Sequence, residues 1–288
     1  MSVKTSTTRR LTGAAVLGLA ALALSGCAGG TGGPGQLARF GLPEPVSDRA
    51  PFTGNLWHGF WIAALAIGVL MWGLMIWAAI RYRRRSPDEI PKQTRYNLPM
   101  EVMYTIVPFL IVGVLFFYTV NAQDGVRKHY TDAELAAQGM PAARTIGVIG
   151  QKWSWTFNYT DANVWDVGTV ERIPDLYMQV DQPVNFTLDS PDVIHSFWVP
   201  QFYFKLDVIP GRTNSFQVTP TKIGSYAGKC AELCGTYHSR MLFNVQVVDQ
   251  ATYQAKMDEL RSKGQTGQIS YQTGTTQQVG STQAHGGN

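Results

Sequence analysis

From Cys230 the chain reads Cys230-Ala-Glu232-Leu-Cys234-Gly-Thr-Tyr-His238-Ser-Arg-Met241, which sets two thiols, an imidazole and a thioether at tight spacing. Thiolates and thioethers are soft donors and imidazole suits copper, so the stretch points to copper cycling between Cu(I) and Cu(II). A single blue-copper ion takes one Cys, two His and a weak axial Met. The second thiol therefore points to two metals sharing bridging sulfurs, and a second metal needs a second imidazole. His195, in Asp192-Val-Ile-His195-Ser-Phe-Trp198-Val-Pro200, is the best upstream candidate. The alternative is a Cys230–Cys234 disulfide on an exported domain. It leaves His238 and Met241 unexplained.

A chain of 288 residues, 45% of them hydrophobic, has room for one or two domains with a real core. The net charge of +4 is modest, and no long basic run is interleaved with aromatics, which argues against a nucleic-acid partner. Three cysteines, Cys27, Cys230 and Cys234, cannot build a disulfide framework, and no Cys-x-x-Cys-His motif offers covalent c-type haem attachment.

The elements that must carry such a site follow in order. Lys4, Arg9 and Arg10 precede an apolar stretch, Leu11 to Leu24, that is too short to span and has the form of a secretory signal. It ends in Leu24-Ser25-Gly26-Cys27, which resembles the bacterial lipoprotein processing box and implies a signal peptide over 1–26 with lipid on Cys27. Residues 27–55 read as an external linker rich in Gly and Pro. Residues 56–122 read as a transmembrane hairpin. Its first span, 57–80, carries no Asp, Glu, Lys or Arg and reaches about 36 Å, enough for a hydrocarbon core of roughly 30 Å. The second, 102–120, reaches about 28 Å and contains Pro108, a kink that membrane helices tolerate. The connecting loop, 81–97, is basic (Arg81, Arg83, Arg84, Arg85, Lys92, Arg95) and belongs on the cytoplasmic side, which puts both flanking segments outside.

After a polar connector, Arg127 to Ala143 with room for one short helix, the period changes to two. Strands are predicted at 145–150, 153–159, 176–180, 184–189, 213–219 and 241–248, with a closing helix over 252–262. Short strands punctuated by Gly, Pro and Asp suggest a small antiparallel sandwich or barrel spanning 126–262. Residues 263–288, rich in Gly, Gln, Thr and Ser, are predicted to form a disordered tail.

An exported start, a two-helix hairpin and an external β-domain ending in Cys-x-Glu-x-Cys-Gly-x-x-His-x-x-Met resemble subunit II of the haem–copper cytochrome c oxidases. The likeness runs from about Leu56 to Val248 and includes Ser190-Pro-Asp192-Val-Ile-His195-Ser-Phe and Ile209-Pro-Gly211-Arg212. Related quinol oxidases share the architecture but lack the copper ligands, so the resemblance implies a cytochrome c as donor. It implies a membrane protein whose outer domain is an all-β, cupredoxin-like Greek-key sandwich. It also implies two copper ions bridged by Cys230 and Cys234. His195 and Met241 would complete one ion, and His238 with the Glu232 carbonyl the other. The Glu232 side chain would serve a Mg²⁺ shared with the catalytic subunit, a hard ion suited to carboxylate oxygen.

The same resemblance marks Trp153, in Gly150-Gln-Lys152-Trp153-Ser-Trp155-Thr-Phe157, as the surface point where electrons arrive. Ordinary packing is the competing role, and Trp155 and Phe157 share a period-two face with it. Ser154 and Lys152 depart from the family pattern around it. Glu101 would open a proton path from the cytoplasmic side, although an acid at a helix start also suits the helix dipole. Arg212, Lys205 and Asp207 lie in a stretch that would face the haem-bearing catalytic subunit I, and His58 would mark the same interface.

The implied function is the electron-accepting subunit of an oxidase in a bacterial cytoplasmic membrane, multi-pass, with O₂ reduction and proton pumping driven in a partner subunit. A copper-delivery or copper-storage membrane lipoprotein is the alternative, followed by a copper-dependent nitric oxide or nitrous oxide reductase module. Residues 126–262 hold fourteen Asp or Glu and twelve Lys or Arg, a balance of −2 that gives little long-range pull on a basic soluble cytochrome. A membrane-tethered or stably bound cytochrome is therefore the expected donor.

Overall fold

The computed structural model describes residues 35–271. The signal peptide and Cys27 lie outside the described residues, as does the chain beyond Tyr271. Residues 35–44 belong to a separate unit and turn back locally, with the Gly41 amide donating to the Gln36 carbonyl at 3.0 Å.

Two long helices come first, α1 (Ala50–Arg81) and α2 (Leu98–Arg127). A proline stands in the first turn of each, where its missing N–H costs nothing. Asn97 caps α2, its side chain accepting the Met100 amide, and α2 continues through Pro108. Both helices are long and apolar enough to cross a bilayer, and their side chains are exposed along the spanning windows. Apolar surface on this scale belongs in lipid or against a partner. At 32 and 30 residues they exceed the predicted spans, so each extends beyond the apolar window at its outer end.

A short helix, α3 (Asp132–Ala137), closed by a Thr131–Glu134 capping box, leads into ten strands. They are β1 (Arg144–Gln151), β2 (Ser154–Tyr159), β3 (Val164–Val167), β4 (Asp175–Gln179), β5 (Val184–Asp189), β6 (His195–Val199), β7 (Phe204–Val208), β8 (Asn214–Val218), β9 (Gly224–Cys230) and β10 (Leu242–Val248). One sheet is ordered β3-β2-β1-β5-β8 and the other β4-β10-β9-β6-β7. Their inner faces meet in an aromatic core in which Phe186 stacks on Phe216 (4.8 Å between centroids) and Phe197 on Phe243 (4.7 Å). Helix α4 (Gln250–Ser262), capped by Asp249, closes the domain and buries Tyr253, Met257 and Leu260.

The structure corrects four expectations. The sandwich is not purely antiparallel: β1 pairs with β5, and β10 with β4, in parallel. Strands β3, β6, β7 and β9 were not predicted, because they are short or, in β9, interrupted by Gly224 and Gly228, which weaken the strand signal. The expected linker does not run to residue 55. The amides of Val46 and Asp48 donate to the carbonyls of Gln201 and Thr219, and α1 begins at Ala50. The expected tail does not begin at Lys263. Trp165 donates its amide to the Gln265 carbonyl, and Asn158 pairs with both backbone groups of Ile269, so this segment covers the outer face of β2 and β3.

Candidate metal centre

The pairing of β6 with β9 sets Phe197 opposite Cys230 and Trp198 opposite Lys229. His195 opens β6 and Cys230 ends β9, so the upstream histidine meets the start of the ligand loop at one sheet end although 35 residues separate them. Strands β9 and β10 form an antiparallel hairpin whose long connection carries Cys234, a 3₁₀ turn at His238–Arg240, and Met241. Main-chain bonds tie this loop down: Cys230 donates to the Met241 carbonyl and Ala231 to the Ser196 carbonyl, each at 3.0 Å.

The side chains converge. Cys230 Sγ lies 3.8 Å from Cys234 Sγ, 3.9 Å from His195 Nδ1 and 3.2 Å from the Glu232 carbonyl oxygen. Cys234 Sγ lies 3.5 Å from His238 Nδ1 and 3.8 Å from Met241 Sδ. Donor atoms of His195, Cys230 and Cys234 all fall within 4.8 Å of one another, and all three residues are buried. Both cysteines are free, so the disulfide alternative is not what this chain adopts. Metal–ligand bonds of about 2.0–2.3 Å at a roughly tetrahedral angle leave donor atoms about 3.3–3.8 Å apart. The observed separations match that spacing, and the soft sulfur and imidazole set matches copper.

His195 is aimed by Asp192, whose Oδ1 sits 2.9 Å from Nε2 and turns Nδ1 toward the sulfurs. This carboxylate–imidazole arrangement fixes the ring orientation and makes the free nitrogen a better donor. Burial would raise the Asp192 pKa, but hydrogen bonds from His195 and the amides of Lys152 and Val193 outweigh it and hold the carboxyl below the usual range. Burial opposes charge on His195 too, yet Asp192 and Cys230 push its pKa up. The two thiols divide a proton between them. The hydrogen bond from Cys234 draws Cys230 down, against burial and with help from His195, and the same contact pushes Cys234 up. The contact thus favours the ionised form of Cys230, the form in which a cysteine binds metal.

The other predicted residues fall into three groups. Trp153, in the β1–β2 turn, is half-buried and donates its indole N–H to the Cys234 carbonyl at 3.2 Å. Trp155 is fully buried against Phe197 and Phe243, which makes it core and leaves Trp153 as the surface tryptophan. The Glu232 side chain points outward, exposed, while its carbonyl faces Cys230. Glu101 lies far along the chain at the start of α2, where its carboxylate accepts the Asn97 amide at 3.1 Å, a local capping role. Lys205, Asp207 and Arg212 line one cavity of about 680 Å³ with Arg127 and His129 at the outer end of the hairpin. His58 Nδ1 contacts the Gly54 carbonyl within α1 at 2.7 Å.

Sequence reasoning passed over Asp192 as an orienting group, although a carboxylate three residues before a candidate ligand histidine was a usable signal. It also passed over Tyr237, which packs edge-on against Trp153 with centroids 5.0 Å apart.

Residues 166–248 match the family model described as cytochrome C oxidase subunit II, periplasmic domain. The chain is 43% identical to a probable cytochrome c oxidase subunit 2 of Streptomyces avermitilis, over 91% of this chain and 90% of that one. It is 34% identical to cytochrome c oxidase subunit 2 of Corynebacterium glutamicum, over 83% and 81%. Among solved structures, the periplasmic domain of subunit II of cytochrome oxidase of Bradyrhizobium japonicum is similar at 28% identity and a TM-score of 0.40, covering 43% of this chain and 98% of that one.

Proposed function

The chain belongs to the cytochrome c oxidase subunit 2 family, and we propose that its buried sulfur–imidazole cluster holds a binuclear copper centre. Membership brings copper binding, a place in the haem–copper oxidase complex and the role of accepting electrons from a cytochrome c for O₂ reduction in a partner subunit. The copper-delivery alternative is not favoured. The chain is a membrane protein with an outer domain, and we assign it to a bacterial cytoplasmic membrane.

The observation that carries the two-ion reading is the excess of converging donors. Two sulfurs, two imidazoles, a thioether and a carbonyl oxygen converge, more soft donors than a single copper ion takes. By contact, His195 approaches Cys230, while His238 and Met241 both approach Cys234. Both thiolates would be shared by the two ions, with His195 and Met241 serving one ion and His238 and the Glu232 carbonyl the other. A thiolate-bridged copper pair supplies a one-electron couple in which charge shared over both ions keeps rearrangement on reduction small.

This chain's residues do the rest. Asp192 fixes the His195 ring, burial excludes water from the sulfurs, and Trp153 offers a surface aromatic bonded directly to the backbone of a ligand. Electrons from the donor arrive at Trp153 under this reading. The outward Glu232 carboxylate is free to meet a Mg²⁺ at the boundary with the catalytic subunit I, whose haem receives the electron. Glu101 guards a proton path from the cytoplasmic side in addition to capping α2. The donor is a cytochrome held at the membrane or stably bound, in keeping with the near-neutral outer domain. Cys27 carries lipid.

Copper analysis tests the central assignment. The full chain, purified in detergent and loaded with copper, should bind two ions per chain and give an EPR signal with hyperfine coupling to two equivalent nuclei. One ion per chain with coupling to a single nucleus would rule the binuclear reading out.

A further inference from the structure

Trp153 is held by the ligand loop on three sides. Its N–H bonds the Cys234 carbonyl at 3.2 Å. The Gly235 backbone lies against it: a Cβ there would come within 3.2 Å of Nε1 and of Cζ2, so a larger residue fits only if the indole moves by a few tenths of an ångström. Gly235 also has a φ of +123°, which disfavours any side chain. Tyr237 closes the third side, its ring at 87° to the indole and 5.0 Å away between centroids, a favourable edge-on geometry. Tyr237 has a second neighbour in Arg240. The Arg240 guanidinium stands 5.8 Å from the Tyr237 centroid and donates to the Val170 carbonyl at 3.3 Å. Tyr237 is 43% exposed, so the face it turns to Trp153 is its packed one.

We propose that Tyr237 is a positioning residue for electron uptake, holding the Trp153 indole so that its N–H stays on the Cys234 carbonyl. The proposal rests on the reading that electrons arrive at Trp153. One electron leaves the reduced donor haem, which becomes ferric, and is taken up at the metal centre beyond Cys234. Neither Trp153 nor Tyr237 is oxidised or reduced, and no proton moves. What Tyr237 supplies is a fixed through-bond contact. Without it the indole swings about its side-chain torsions and the contact is made only part of the time.

The test uses two readouts. In the metal-free full chain labelled with 5-fluorotryptophan in detergent micelles, the resonance lost in Trp153→Phe identifies Trp153. That resonance should be single and sharp in the native chain and in Tyr237→Phe, which keeps the edge-on ring, and shifted or exchange-broadened in Tyr237→Ala. In the assembled oxidase, Tyr237→Ala should slow electron uptake about 10-fold, short of the 10²-fold cost that a 1 Å misplacement can reach. KM for the cytochrome and the copper EPR signal should stay native, and Tyr237→Phe should behave as the native enzyme. An unshifted fluorine resonance in Tyr237→Ala, or a raised KM with native kcat, would overturn the proposal and make Tyr237 a plain docking contact. If Trp153→Phe slows uptake and Tyr237→Ala does not, this inference alone falls. If Trp153→Phe leaves uptake native, the electron-arrival reading falls and takes this inference with it.

Discussion

The polar clusters around Arg49 and around Cys230 differ in how their hydrogen-bonding capacity is met. Arg49, 3% exposed, lies where the first helix meets the outer domain. Its guanidinium donates to the carbonyls of Gly125, Lys128 and Gln217 and to the Gln217 side chain, pairs with Asp48 at 3.3 Å and covers the Tyr130 ring. Gly125 is in the last turn of α2, where carbonyls lack amide partners and the helix dipole favours a cation. This cluster is closed by its own protein partners. The cluster at Cys230 is as buried at His195, Cys230, Cys234 and Met241 and half-buried at His238, but its donors face one another at 3.5–3.9 Å with little else to satisfy them. A polar cluster complete in itself fastens two elements; one whose electron-pair donors converge on a common space is a cage for a cation.

Four experiments would break or sharpen that contrast. The largest effect is expected from Cys234→Ser, which removes a bridging donor. Outer-sphere changes at metal sites cost up to about 100-fold in affinity, and loss of a ligand should exceed that. Copper content measured after dialysis should drop to background, while thermal melting of the metal-free chain stays near native. Unfolding of the metal-free chain by Cys234→Ser would mean that the cluster is a fastener too.

Arg49→Met should do the reverse. It leaves several buried carbonyls without their donor and the partly exposed Asp48 without its cation, at a cost of about 1–3 kcal/mol. Denaturant melts of the full chain should move accordingly, with the copper EPR signal of the surviving folded protein unchanged. An altered copper signal would show the two clusters to be coupled.

Asp192→Asn keeps the shape beside His195 but removes the carboxylate that aims it. Copper affinity should drop about 10–100-fold by competition titration. Native affinity would mean that β6 alone orients the ring.

The smallest effect concerns an exposed carboxylate remote from both clusters. The Thr252 amide and hydroxyl hold Asp249 below its ordinary value of 3.8 and so stabilise its ionised form at the start of α4. That contribution is present above the unfolded value and fades as pH falls through the lower folded value. The gap in melting temperature between the native chain and Asp249→Ala should therefore be open at about pH 6 and shrink toward about pH 3. A gap independent of pH would assign the cap to backbone geometry rather than charge.

The contrast also explains what could be read without coordinates. Five of the six candidate copper ligands lie in one loop from Cys230 to Met241, so spacing alone exposed the chemistry. His195 stood out because a second metal needs a second imidazole. The spans were legible from the absence of charge between Trp57 and Ile80. Arg49 was invisible, since it sits in a Gly/Pro-rich stretch and its hydrogen-bond partners lie 76 to 168 residues away. The parallel β1–β5 and β4–β10 pairs were missed for the same reason, since they join strands that are not chain neighbours. The covering of β2 by residues 265–269 depends on backbone groups, those of Gln265 and Ile269, and backbone groups carry no hydropathy signal. Periodicity finds what buries apolar area, and spacing finds donors within one loop. Neither reports a contact made by one side chain across the fold.

The central claim is that electrons pass through the Cys230–Cys234 cluster before reaching the partner's haem. Rapid mixing of the oxidised, assembled enzyme with a sub-stoichiometric amount of reduced cytochrome tests it most directly. The copper absorbance should bleach in step with cytochrome oxidation, haem reduction should follow, and the Cys230→Ser, Cys234→Ser enzyme should leave the cytochrome reduced. Haem reduction at the native rate in that double variant would contradict the account.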